Sequence, residues 1–473
     1  MQRHDLLRDV DAYFSTGGLA TDLARRVAYR SESDTGQAPP ALRAYLEAEM
    51  QPWLEAQGFV CELLPNPVPQ AGPLLLARRI EDLDLPTVLS YGHGDVVSGQ
   101  EGAWREGLSP WALHIEGDRW YGRGTADNKG QHTVTLAALA HTVAARRAQG
   151  RGLGYNVTLL LETGEEAGSP GLRTICETRR DDALRADLFL ASDGPRISAA
   201  SPTLFLGSRG AVNFSLSVRS RERAYHSGNW GGVLANPATL LSHALATLVN
   251  AQGRILVPGL LPPPVPEKLR QALRSVDVGA DPDAPALSPG WGEPGLRPIE
   301  QLVGWNTLEV LALGSGNASR PINAIPSSAV AHCQLRFVVG TDWQNLAAIV
   351  RAHLDAQGFG MVEVEVSMSC GATRLDLDNP WVDWALTSMQ TSAGKVPTLL
   401  PNLAGSLPND LFADVLGLPT LWIPHSYPAC AQHAPNEHLL GSVAREGLAI
   451  MAGVFWDLGE EGSAPWLGGR TRA

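Results

Sequence analysis

Five short segments of this chain set a side chain able to hold a divalent cation within a glycine-rich or polar stretch: Gly92-His93-Gly94-Asp95, Gly122-Arg123-Gly124-Thr125-Ala126-Asp127-Asn128-Lys129-Gly130, Glu162-Thr163-Gly164-Glu165-Glu166-Ala167-Gly168-Ser169, Ser192-Asp193-Gly194 and Gln432-His433-Ala434-Pro435-Asn436-Glu437. Taken singly, each has a plainer reading. Asp before Gly makes a turn, adjacent glutamates make a solvated face, and a lone His sits at the surface or caps a turn. Taken together, they supply imidazole nitrogens and carboxylate oxygens, the donors that hold metals such as zinc, and metal so held activates water for hydrolysis. Covalent catalysis finds no matching motif, since neither a G-x-S-x-G elbow nor a cysteine-nucleophile signature occurs in the chain.

The elements around these segments read as a scaffold for strand-end loops. The stretch from Leu85 to Tyr91 is a short buried strand that runs into the His93 segment, and Tyr155 to Glu162 is another that runs into the glutamate pair. Between them, His132, Val134, Leu136, Leu139, Ala140 and Val143 recur at helical spacing within Gly130 to Ala148. A helix at Gly168 to Thr178 and a strand at Ala186 to Ala191 follow. Strand, helix, strand, helix, strand predicts an α/β domain with a mostly parallel sheet flanked by helices, whose strand ends carry function. Upstream, Leu19 to Glu55 reads as two helices joined by the polar loop Ser31 to Pro40.

After Asp193 the texture changes. Thr203 to Val218 alternates through Phe205, Val212, Phe214, Leu216 and Val218, and Ala329 to Val339 through Val330, His332, Gln334, Arg336 and Val338. With helices at Asn236 to Ala251 and Trp343 to Gln357, this predicts a smaller inserted α+β domain. Within it, Val257 to Pro298 is a Pro- and Gly-rich excursion around one short helix near Glu267 to Val276. The α/β pattern resumes with a helix at Trp381 to Ser392, a strand at Pro419 to Pro424 and a long helix at Glu437 to Trp456. The boundaries are therefore 1–202 and 373–473 for a discontinuous catalytic domain and 203–372 for the insert.

Composition narrows the partners. Lys and Arg number 37 against 49 Asp and Glu, a net charge of −12, which disfavours nucleic acid. No stretch reaches the roughly 18 apolar residues of a membrane helix, and Met1 to Asp11 lacks a signal-peptide core. The five cysteines form no CxxC pair, which fits reduced thiols and a cytoplasmic setting.

The five segments together resemble the M20 family of metallopeptidases, over nearly the whole chain from about Leu19 to the terminal helix. The resemblance implies that the His of H-x-D, the Asp of G-R-G-x-x-D-x-K-G, the second Glu of the E-E pair, an acidic residue after the next strand and a late His are metal ligands: His93, Asp127, Glu166, Asp193 and His433. Such a set suits two divalent ions about 3.5–4 Å apart. Asp127 would bridge, His93 and Asp193 would hold one ion, and Glu166 and His433 the other. A set of imidazoles and carboxylates without cysteine favours zinc, and manganese or cobalt also fit. Asp95 is placed to accept the His93 N–H, and Glu165 is left as the general base.

The same resemblance extends to the insert, read as a lid and dimerisation domain. His226 in Tyr225-His226-Ser227-Gly228-Asn229-Trp230-Gly231-Gly232 matches a His that stabilises the oxyanion in the partner's site, which implies a homodimer. Asn323 in Pro321-Ile322-Asn323-Ala324-Ile325-Pro326, Arg336, and Gly405-Ser406 match elements that bind a substrate carboxylate. Asp193, the Gly207-Ser208-Arg209-Gly210 lead-in and the long lid lean toward the dipeptidase branch. Ala404-Gly405 in place of a Gly pair, and Asp410 near the substrate pocket, are departures from it. The implied reaction is amide hydrolysis of dipeptides or short peptides with a free carboxyl terminus, with N-acyl amino acids as the alternative substrates.

Overall fold

The computed structural model describes residues 2–33, 40–279, 281 and 284–466. Part of the expected loop Ser31 to Pro40, residues 34–39, and Met1 of the N-terminal segment lie outside them.

An eight-stranded sheet runs Val60–Leu64, Leu74–Arg79, Asn156–Glu162, Thr87–His93, Leu188–Ala191, Thr420–Trp422, Thr203–Phe205, Thr398–Leu400. Thr87–His93 pairs in parallel with both Asn156–Glu162 and Leu188–Ala191, and Thr420–Trp422 in parallel with Leu188–Ala191. The first two strands form an antiparallel edge that the sequence reading did not anticipate. Both faces are covered, so these strands read as continuous apolar runs. Period-two alternation then sorts them. Val88, Leu159, Leu161, Leu188, Leu190 and Leu421 pack against the helices Lys129–Ala148, Pro380–Ala393 and Gly441–Leu458. Leu89, Tyr91, Leu160, Phe189, Phe205 and Trp422 face the opposite layer, which contains the helix Leu172–Arg179.

The smaller sheet is antiparallel, in the order Thr307–Gly314, Ser328–Phe337, Gly210–Arg219, Glu363–Cys370. The helices Pro237–Leu248 and Leu346–Ala356 cover one face, with Val212, Phe214, Leu216 and Val218 in its core. On Ser328–Phe337 the core face is Ala329, Ala331, Cys333, Leu335 and Phe337. Val330, His332, Gln334 and Arg336, the positions picked out in the sequence, therefore point away from that core.

Three expectations are corrected. The alternation from Thr203 to Val218 is two strands, one in each sheet, because the chain crosses between them at Leu206–Arg209. The excursion around Glu267–Ala272 does not pack in the small domain: Val265, Leu269, Leu273 and Val276 join the layer beneath the large sheet, with Leu403, Leu407 and Leu411. The terminal helix starts at Gly441, because His438–Leu440 pairs as a strand with Arg119–Tyr121.

Candidate metal centre

The large sheet delivers its chemistry at one edge. His93 is the last residue of its strand, and the neighbouring strand ends at Glu162, followed by a tight turn, Glu165–Ala167. Asp193 lies two residues beyond Leu188–Ala191. Asp127 precedes the helix Lys129–Ala148, and His433 lies in the loop after Thr420–Trp422. Apart from Asp127, which sits before a helix, these follow the carboxyl ends of parallel strands, where open α/β sheets bind ligands. Close approach fixes the Asp127 loop, since a Cβ on Gly130 would lie 1.8 Å from the Thr125 carbonyl oxygen. The His433 loop is strained. Ala431, His433 and Asn436 hold φ values of 56°, 61° and 64°, a left-handed conformation that side chains other than glycine adopt at a cost.

Two ligand clusters share one carboxylate. His93 Nε2 lies 3.0 Å from Asp127 Oδ1 and 3.6 Å from Asp193 Oδ2. His433 Nε2 lies 3.1 Å from Asp127 Oδ2 and 3.1 Å from Glu166 Oε2. Each Asp127 oxygen thus serves one cluster, and in each the donor atoms fall within 4.8 Å of one another. The donor set fits a pair of divalent cations on a further count: Asp193 Oδ2 is buried with no hydrogen-bond partner among the described residues. Glu165 Oε2 lies 4.0 Å from His93 Nε2 and belongs to neither cluster.

The electrostatics match that inventory. Burial pushes the Glu165 carboxyl well above its usual range, the His93 charge opposing it, and burial with the Asp127 charge pushes Glu166 up to about 7. Burial and the Asp127 charge likewise raise Asp193 to about 6. Asp127 goes the other way: burial acts to raise it, but the hydrogen bonds from His433 and His93 hold it low. Asp127 and Glu166 in turn raise His433 to about 10. Four carboxylates crowded together call for positive charge, and protonated imidazoles supply only part of it.

Asp95 faces the His93 ring through two oxygens. Its backbone carbonyl, 3.1 Å from His93 Nδ1, is the nearer acceptor, and its carboxylate oxygen is 3.4 Å away. The carboxylate accepts the backbone N–H groups of Glu165 and Glu166 at 3.2 and 3.1 Å, and the Ser33 hydroxyl at 2.6 Å. One residue therefore sets the ring of His93 and the turn that aims the two glutamates.

Glu437, four residues beyond His433, is the corresponding brace for Asp127. Fully buried, it accepts the backbone N–H groups of Gly124, Ala126 and Asp127 and is paired with Arg123 at 2.8 Å. Its distance of 310 residues from Asp127 hides it from any local reading. Gln432 also donates to Asp127 Oδ2.

A cavity of about 710 Å³ opens over the clusters, lined by Asp127, Glu165, Glu166, Asp193 and His433 on the large-sheet side. Arg336, Gly405 and Ser406 line it too, with Arg336 Nη1 donating to Ser406 Oγ at 3.0 Å. Asp410 reaches the same wall, held by Arg173 at 2.7 Å. His226 and Asn323 are brought together elsewhere. They lie on the paired segments Tyr225–His226 and Ala324–Ile325 and the residue before, where Ser227 N–H donates to the Asn323 carbonyl, and neither lines the cavity.

Peptidase family M20/M25/M40 matches residues 89–457. The chain is 36 % identical over 248 residues to the β-Ala-His dipeptidase of Homo sapiens, a match covering 50 % of this chain and 48 % of that one. For the Rattus norvegicus β-Ala-His dipeptidase the figures are 34 % over 219 residues, 46 % and 42 %, so the match spans less than half the length of these relatives. The Cys-Gly metallodipeptidase DUG1 of Candida albicans is 26 % identical over 410 residues, covering 79 % of this chain and 80 % of that one. Among solved structures, human carnosine dipeptidase 1 has a TM-score of 0.79 at 24 % identity, covering 96 % and 99 % of the two chains. The dipeptidase Dug1p of Saccharomyces cerevisiae has a TM-score of 0.81 at 22 % identity, covering 98 % and 99 %; both likenesses establish the fold.

Proposed function

Since the chain belongs to peptidase family M20/M25/M40, we propose that it is a dinuclear metallodipeptidase cleaving dipeptides or short peptides with a free carboxyl terminus. One observation carries this reading: Asp127 presents one oxygen to the His93–Asp193 cluster and the other to the Glu166–His433 cluster, beneath a cavity with Arg336 on its wall. Bound at these clusters, two divalent cations, zinc by the donor set, would supply Lewis acidity to the scissile carbonyl and a more acidic water nucleophile. Glu165, outside both clusters and 4.0 Å from His93, takes the proton of the attacking water and hands it to the leaving amine. Arg336 and Ser406 hold the substrate carboxylate and so place the amide bond over the clusters.

The oxyanion donor in this reading is His226 of the partner subunit. Support comes from the position of His226 and Asn323 away from their own cavity and from the edge strand Thr307–Gly314. That strand exposes Val310, Leu311 and Leu313, an open edge suited to a second copy. No helix among the described residues is long and apolar enough to cross a membrane, and the free cysteines suit a cytoplasmic setting.

The test is turnover of a dipeptide panel before and after chelation, with N-acetylated dipeptides in parallel. The reading expects activity on free dipeptides, its loss on chelation and its return with zinc, manganese or cobalt. Activity that survives chelation would exclude the metal mechanism, and turnover of only the acylated compounds would make the protein a deacylase.

A further inference from the structure

Three guanidiniums surround the cavity loop Asn402 to Ser406, and their hydrogen bonds run to neutral oxygens. Arg336 donates to Ser406 Oγ at 3.0 Å, Arg209 Nε to the Ala404 carbonyl at 2.6 Å, and Arg374 to Asn402 Oδ1 at 3.0 and 2.7 Å. Arg209 is the most constrained. It is 5 % exposed, its Nη1 is buried with no hydrogen-bond partner among the described residues, and it does not line the cavity. Its backbone is stitched to the loop, Arg209 N–H donating to the Leu403 carbonyl at 3.1 Å and Leu403 N–H to the Gly207 carbonyl at 2.8 Å. Burial, and then the charge of Arg336, lower Arg209 to about 9. A buried cation beside a second cation is unfavourable; the Glu309 carboxylate offsets part of that cost for both, and an anionic ligand at Arg336 offsets more.

We propose that Arg209 is a positioning residue for the substrate's terminal carboxylate. From behind the Leu403 to Ser406 loop it fixes that loop at the junction of the two sheets and adds a second positive charge to the seat formed by Arg336 and Ser406. The free carboxyl terminus thereby becomes a requirement and not merely a preference. This rests on the reading of Arg336 as the carboxylate clamp. The Gly207-Ser208-Arg209-Gly210 lead-in gains a role in choosing the substrate, which loop geometry alone would not give it.

The experiment compares alanyl-alanine with alanyl-alaninamide on the metal-loaded enzyme. The readout is the ratio of kcat/KM for acid over amide, which does not depend on the fraction of protein that is folded. Wild type should favour the acid strongly. Arg209→Gln should lower the ratio about tenfold or more through KM for the acid, and Arg209→Lys, which keeps the charge, should recover most of it. An unchanged ratio in Arg209→Gln would overturn the proposal, and equal ratios in the Lys and Gln variants would remove the charge from it. Failure of the wild type on both compounds is a separate result: it removes the peptidase reading, and this inference with it.

Discussion

The half of the site built on the large sheet is closed within one chain, whereas the half built on the small sheet is open. Around Asp127 every candidate ligand has a donor atom within 3.6 Å of another, and two buried carboxylates, Asp95 and Glu437, hold the backbone of the loops that carry them. In the lid, Arg336 reaches the cavity, but His226 is exposed, with Gly228 N–H donating to its Nδ1 at 3.1 Å. The difference follows from architecture. Parallel strands end together, so residues far apart in sequence converge at one rim. A lid sheet with one bare face and a bare edge leaves part of its chemistry for another surface to complete.

That contrast can be broken at either half. The largest effect belongs to Glu165→Gln, which removes the base without touching a ligand. Its kcat should fall by about 10²–10⁴ while bound metal, read by elemental analysis, stays at the wild-type level. A variant that loses metal instead would make Glu165 a ligand. Glu437→Gln probes the brace. Without the charge that collects the Gly124, Ala126 and Asp127 amides, metal affinity should drop by about 10–100-fold in a competition titration, as for other supports behind metal ligands. Unaltered affinity would reduce Glu437 to a loop staple. The smallest effect, and the sharpest on the lid, comes from mixing chains. In the proposed dimer, Glu165→Gln and His226→Ala chains should each be nearly inactive alone, and co-refolding them in equal amounts should restore about a quarter of wild-type activity, since half the dimers would be mixed and each would have one complete site. No recovery would place His226 outside the partner's site.

The sheet-borne residues were legible because each sits in a glycine-flanked loop after an apolar run, and the sheet collects such loops. The antiparallel edge strand Val60–Leu64 was not, since its outward positions hold apolar Val60 beside Glu62 and the alternation in burial is not written in apolar and polar residues. On Ser328–Phe337 the phase was legible as well: Ala331, Cys333, Leu335 and Phe337 are apolar while His332, Gln334 and Arg336 between them are polar, so the apolar set faces the core. Within Thr203 to Val218 the break was legible: Phe205 is seven positions from Val212, an odd number, so one strand cannot turn both inward, and they are inward in different sheets. Glu437 and Arg209 escaped for a shared reason. Their work is done on backbone groups far along the chain, and sequence spacing carries no trace of that.

The central claim is that Asp127 bridges two cations, and anomalous diffraction from crystals of the zinc-loaded protein tests it most directly. The account predicts two peaks about 3.5–4 Å apart on either side of the Asp127 carboxylate, one beside His93 and Asp193 and the other beside Glu166 and His433. A single peak, or a pair that leaves Asp127 uncoordinated, would contradict it.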